Sequence, residues 1–64
     1  MKYAIRHMGE SIEFLSGFES PYGDPIWVEG WDNCDMLIYP TYEDAKKDLI
    51  EVEMFFYAEI EELS

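Results

Sequence analysis

The sequence contains few basic residues and almost no cysteine. Its 64 residues include four Lys or Arg, one His and one Cys. A single cysteine, Cys34, excludes an internal disulfide and suits a reducing cytosol. Cys34 and His7 are too few soft ligands for a structural zinc site, so we expect neither a metal nor a cofactor. No run of about eighteen apolar residues is present, and we therefore expect no membrane-spanning helix.

Acidic residues dominate the charge of the chain. Fifteen Asp and Glu give a formal net charge of −11. Nine of them lie between His7 and Ala45 and six more from Asp48 onward, and neither stretch contains Lys or Arg. Such a surface repels nucleic acid and anionic membranes, so we expect neither as a direct partner. A basic protein surface is the natural complement.

The composition nevertheless predicts a folded protein. The chain is 48% hydrophobic and contains four Phe, two Trp and five Tyr, whereas disordered acidic segments are poor in aromatic residues. We expect a single domain over residues 1–64. Self-repulsion costs a folded domain stability, and solubility needs a net charge of only about 2–8 in magnitude. Something other than folding is therefore expected to maintain the charge, either DNA mimicry or a solvated acidic face that keeps the domain soluble.

The first two thirds of the chain show the alternating pattern of β-strands. Residues 2–8 and 11–18 alternate and predict a hairpin with Gly9-Glu10 at its turn. The Pro- and Gly-rich residues 19–25 predict a loop, and residues 30–35 predict a turn. Short strands are predicted at residues 26–28 and 36–39.

A helix is predicted after Pro40. Thr41 suits the N-cap and Asp44 the third helical position. Apolar residues then recur at spacings of three and four, which predicts one long C-terminal helix; they are Ala45, Leu49, Val52, Phe56, Ile60 and Leu63. The predicted fold is α+β, with a small antiparallel sheet of three to four strands and this helix packed on it.

The sequence contains no recognisable catalytic motif. The one histidine, His7, lies in a predicted strand, and no motif for a nucleophile, a phosphate loop or a zinc protease is present. Residues 32–35 resemble part of a calcium loop but lack its closing glutamate. A chain of this size can hardly enclose a substrate pocket, so we expect no enzymatic activity.

The acids can instead imitate the phosphates of DNA. Alternate strand residues lie about 6.6 Å apart, and helix residues four apart rise by about 6 Å; both distances are close to the spacing of phosphates along one strand. The predicted helix carries a row formed by Asp44, Asp48 and Glu51. A second row, if the turn between its members is compact, is formed by Glu29, Asp32 and Asp35.

Residues Glu10, Ser11 and Ile12, followed by Glu13-Phe14-Leu15, resemble the Glu-Ser-Ile segment of the bacteriophage uracil-DNA glycosylase inhibitors. In that family the segment lies on an exposed edge strand and enters the DNA-binding cleft of the enzyme. The resemblance implies the same role for these three residues. It also implies an apolar pocket for the side chain that the enzyme inserts into DNA. By residue type, the pocket candidates are Met36, Ile38, Val52, Phe55 and Phe56.

The sequence therefore predicts a non-enzymatic DNA mimic, encoded by a phage and acting in the cytoplasm of the bacterial host. Its expected partner is a basic, nucleic-acid-binding host protein, first uracil-DNA glycosylase and second a nuclease. One alternative is an inhibitor of CRISPR or restriction nucleases. Another is a small interaction module with a solvated acidic surface, in which Trp27, Trp31, Phe55 and Tyr57 form a protein-binding patch.

Overall fold

The described part of the chain contains four strands and one helix. The computed structural model describes residues 1–19, 23–31 and 34–63. In chain order the elements are β1 (Tyr3–His7), β2 (Glu13–Glu19), β3 (Asp24–Glu29), α1 (Tyr42–Val52) and β4 (Ala58–Glu62). The strands form one antiparallel sheet in the order β3-β2-β1-β4. The predicted α+β class and the antiparallel sheet are thus confirmed.

The predicted hairpin is confirmed, and its two faces separate as the alternation indicates. Ile5 and Leu15 are fully buried on the face that carries α1, where Val52 packs against them. Ala4 and Phe14 are fully buried on the opposite face. Because successive strand residues point to opposite faces, two neighbouring residues in each strand supply both cores.

The predicted long helix is wrong in its length and its position. α1 ends at Val52, and residues 58–62 form β4, the fourth strand, which pairs with β1 at five positions from Tyr3↔Glu62 to His7↔Ala58. The apolar pattern that predicted the helix continues past Val52 because Ile60 and Leu63 also lie at helical spacing. Ile60 packs on the α1 side of the sheet and Leu63 on the other, so they do not share one helical face.

The strand predicted at residues 36–39 is also wrong. This segment makes an isolated bridge in which Tyr3 and Tyr39 exchange two backbone hydrogen bonds of 2.9 and 2.8 Å. The Leu37 N–H donates to the Leu15 carbonyl at 2.8 Å. The segment therefore bridges β1 and β2, which pair directly through Arg6↔Phe14 and His7↔Glu13 at their other end.

The N-cap prediction for α1 is confirmed. The backbone of Thr41 is extended, and its Oγ1 accepts a hydrogen bond of 3.2 Å from the Asp44 N–H. Glu43 and Asp44 lie in the first turn, where the positive end of the helix dipole favours carboxylates. The last turn contains no basic residue.

Within the described residues no helix is both long enough and apolar enough to cross a bilayer.

Candidate protein-binding surface

Carboxylates face each other at both ends of the β2–β3 ladder. Glu19 lies opposite Asp24 at one end, and Glu13 lies opposite Glu29 at the other. Cβ atoms of directly opposed residues are about 4.5–5.5 Å apart, and like charges at that distance destabilise a sheet. Neither Glu19 nor Asp24 forms an ion pair in the described part of the chain. The pair Glu19 and Asp24 therefore places like charges opposite each other at this end of the ladder.

The basic side chains do little to neutralise these acids. Arg6 lies on the face away from α1, where its Nη1 is 3.6 Å from Glu61 Oε1 and its guanidinium lies 5.1 Å from the centre of the Trp31 ring. Lys46 and Lys47 are exposed on α1 and form no ion pair within the described ranges. Most of the negative charge therefore faces solvent.

The Glu10-Ser11-Ile12 segment lies in the connection from β1 to β2. Glu10 and Ser11 are exposed, whereas Ile12 is half-buried against the core that contains Phe14. The Ile12 carbonyl accepts a hydrogen bond of 2.9 Å from the Gly30 N–H. The segment precedes β2, which is an inner strand. The structure thus presents Glu10 and Ser11 to solvent at one end of the sheet, and not along an edge strand.

The predicted helical row has only one fully exposed member. Asp44 and Asp48 are half-buried, and Glu51 is exposed. Asp48 Oδ2 accepts a hydrogen bond of 2.5 Å from the Tyr39 hydroxyl. Burial, and then the hydrogen bond and the charge of Asp48, hold the pKa of Tyr39 well above its usual range. Asp48 therefore helps to anchor the helix to the sheet.

The second predicted row is described only in part. Glu29 is exposed at the end of β3, and Asp35 is exposed in the turn before Met36. Asp32 lies outside the described residues. Among the described side chains, no three His, Cys, Asp or Glu are arranged to hold a metal ion, and Cys34 is a free, exposed thiol.

The five residues proposed for an apolar pocket are not brought together. Met36 is buried on the face of the sheet away from α1. Val52, the last residue of α1, is buried against the opposite face. Ile38 is exposed. Phe55 and Phe56 border a shallow, open depression of about 230 Å³ whose other walls are also residues from 53–57. A depression formed by one short segment does not enclose an inserted side chain.

His7 packs among aromatic rings at the end of the sheet. Its ring centre is 4.9 Å from that of Trp27 and 6.0 Å from that of Phe56, both in edge-to-face geometry. Its Nδ1 is buried, has no hydrogen-bond partner among the described residues, and lies 3.8 Å from Glu13 Oε1. The surroundings of this histidine are those of a packed ring in the fold.

The sequence-based site omitted the acids of β4. Glu59 and Glu62 are exposed, and Glu61 is half-buried beside Arg6. β4 is an edge strand, so these acids border one side of the sheet. The alternation in residues 58–61, Ala-Glu-Ile-Glu, was the available signal, because it has the period of a strand.

The four aromatic residues of the alternative patch do not share one surface. Trp31 packs edge-to-face on Phe14, on the side of the sheet away from α1. Trp27 is half-buried on the α1 side. Only Phe55 and Tyr57, in the turn between α1 and β4, are largely exposed.

Comparison with known proteins yields no relative: no family model, no curated protein and no solved structure matches this chain.

Proposed function

We propose that the protein is a non-enzymatic, acidic inhibitor that occupies the DNA-binding cleft of a basic host enzyme in the bacterial cytoplasm. One observation carries the proposal: Glu19 and Asp24 lie directly opposite each other in the sheet, without an ion pair in the described part of the chain. The arrangement costs stability, and a cationic partner would turn that cost into binding energy. The net charge of −11 supports the same conclusion.

Uracil-DNA glycosylase is the first target to test. The exposed Glu10 and Ser11 resemble the segment with which the phage inhibitors of this enzyme enter its cleft. They lie in the β1–β2 connection, next to the end of the sheet that carries Glu13 and Glu29. Docking would therefore use this end of the sheet.

The test is inhibition of uracil release from uracil-containing DNA. We expect release to fall at equimolar inhibitor and to recover as salt is raised, because electrostatic association weakens with ionic strength. A Glu10→Ala/Ser11→Ala variant should inhibit less than a Lys46→Ala/Lys47→Ala control. Undiminished release at a several-fold molar excess of the wild-type protein rejects this target.

Nucleases of CRISPR and restriction systems are the second class of target within the same proposal. Their DNA-binding grooves are basic, so the same charge argument applies. A competition assay against such nucleases separates them from the glycosylase.

A small interaction module is the second candidate function, and the exposure of Phe55 and Tyr57 favours it. For such a module, affinity would depend mainly on burial of aromatic side chains and little on salt. The salt series therefore distinguishes the two candidates.

A further inference from the structure

Large apolar side chains cluster where α1 leads into β4. In this segment, residues 54–57, which we name the α1–β4 corner, Met54, Phe55 and Tyr57 are 68%, 82% and 85% exposed. Ile50, one helical turn earlier, is 59% exposed. Single exposed apolar residues are normal on a protein surface, but a contiguous group marks a contact site. The fold leaves these side chains to solvent.

Hydrogen bonds hold the backbone of the corner in place. The Glu53 N–H donates to the Leu49 carbonyl at 2.8 Å, and the Phe56 N–H to the Val52 carbonyl at 3.0 Å. The Tyr57 carbonyl accepts a bond of 2.8 Å from Met8 in the β1–β2 connection. Because the backbone is already ordered, binding through the exposed rings has less entropy to lose.

Phe56 packs the α1–β4 corner against the sheet. Its ring centre lies 5.8 Å from that of Trp27 and 6.0 Å from that of His7, in edge-to-face geometry. It is 36% exposed, less than half the value for Phe55 or Tyr57. The corner therefore divides into one ring that packs on the fold and two that face outward.

Three exposed glutamates flank the apolar corner along the chain. Glu51 and Glu53 precede it, and Glu59, which lies opposite Arg6 in the β1–β4 ladder, follows it. The last turn of α1 contains no basic residue, although the negative end of a helix dipole favours a cation there. A cation supplied by a partner would complement both the helix end and the glutamates.

We propose that the α1–β4 corner is a docking surface for a protein whose apolar cleft is bordered by Lys and Arg. Phe55 and Tyr57 enter the cleft, and the basic side chains of the partner meet Glu51, Glu53 and the end of α1. The inference rests on the proposed function in one respect, namely that the partner is a basic protein. A second copy of this chain would bring two acidic rims together and is repelled.

The experiment uses ¹⁵N-labelled protein and a synthetic amphipathic peptide with leucines on one side and arginines on the other. We expect amide shifts to concentrate in residues 50–57. Phe55→Ser should weaken binding at least tenfold, because a buried aromatic anchor contributes that much to affinity. Ile26→Ser is the matched control, since Ile26 is exposed on β3, and it should change affinity less than twofold.

Two results would overturn the inference. One is a set of shifts spread evenly over the acidic surface, with Phe55→Ser binding as tightly as the wild type. The other is concentration-dependent dimerisation, in sedimentation experiments, that Phe55→Ser abolishes. The glycosylase assay keeps the two proposals apart. Peptide binding at the corner without glycosylase inhibition supports this surface and rejects that target, whereas inhibition without corner binding does the reverse.

Discussion

The hydroxyl of Tyr39 donates a 2.5 Å hydrogen bond to the carboxylate of Asp48 and so ties α1 to the segment that bridges β1 and β2. Tyr39 belongs to the core on the α1 side of the sheet, and Asp48 is half-buried beside it. One polar contact thus joins the helix to the sheet at the border of the apolar core.

Replacing Tyr39 by Phe should destabilise the protein by about 1–3 kcal/mol, because a half-buried carboxylate loses its donor. Tyr42→Phe is the matched control. Tyr42 is exposed, and its ring contact with Tyr3 does not need the hydroxyl, so a change within about 0.5 kcal/mol is expected. Urea unfolding at neutral pH measures both variants, and equal stability of the two would contradict the role of the bond.

Stability should fall with pH above about 10, the usual pKa of tyrosine. The pKa of Tyr39 is raised in the folded state, so the unfolded chain releases this proton first. The contribution of Tyr39 is complete below pH 10 and declines above it by up to about 1.4 kcal/mol per pH unit. In unfolding experiments between pH 9 and 11, the advantage of the wild type over Tyr39→Phe should therefore shrink. A constant difference across this range would exclude the linkage.

Thr41→Ala should cost about 1 kcal/mol, because the Asp44 N–H loses its acceptor at the start of α1. Thr41→Ser keeps the hydroxyl and should retain most of the stability. The midpoint of chemical unfolding reports both values. A serine variant as unstable as the alanine variant would show that Thr41 acts through its methyl group and not through the cap.

Leu15→Ala should cost about 2–5 kcal/mol, because Leu15 is fully buried in the core beneath α1 and its loss leaves a cavity. Ile26→Ala on the neighbouring strand removes an exposed side chain and should cost far less. Thermal unfolding by circular dichroism compares the two. Similar losses of stability in the two variants would mean that the core has closed around the cavity left by Leu15→Ala.

Glu19→Lys should separate stability from function. Placing a lysine opposite Asp24 replaces repulsion by attraction, so stability should rise by up to about 1 kcal/mol. Inhibition should weaken several-fold, chiefly through slower association, because a charge that meets the partner has changed sign. Unfolding measurements and inhibition kinetics on the same samples test both effects. A variant that is more stable and inhibits equally well would show that Glu19 does not meet the partner.

The sequence predicts the β1–β2 hairpin, the centre of β3 and the Thr41 cap, because local patterns decide those elements. The predicted loop at residues 19–25 is too long, since β2 reaches Glu19 and β3 begins at Asp24. It does not predict where α1 ends. No Gly or Pro interrupts residues 42–63, and Glu, Met and Leu favour helix there. The pairing of β1 with residues 58–62 overrides that local preference. The hydrogen bonds of residues 36–39 to two different strands likewise depend on tertiary contacts.

The charge of the candidate surface is predictable from the sequence, but its layout is not. Composition gives the net charge of −11, and Glu10 and Glu51 are exposed, whereas the cationic partner stays a prediction. The hydrogen bond between Tyr39 and Asp48 could not be predicted from the sequence, because the two residues meet only when α1 packs on the sheet. The turn at the α1–β4 corner was not predicted, because the predicted helix continued past Val52.

The pairing of β1 with β4 also determines when the protein can finish folding during its synthesis. β1 is made first, yet its neighbour on one side is residues 58–62, and the Lys2 carbonyl accepts a hydrogen bond of 2.7 Å from Leu63. Until those residues leave the ribosome, β1 pairs only with β2 and its other side has no neighbouring strand. A nascent chain without residues 58–62 therefore exposes an unpaired strand edge, which other chains can pair with.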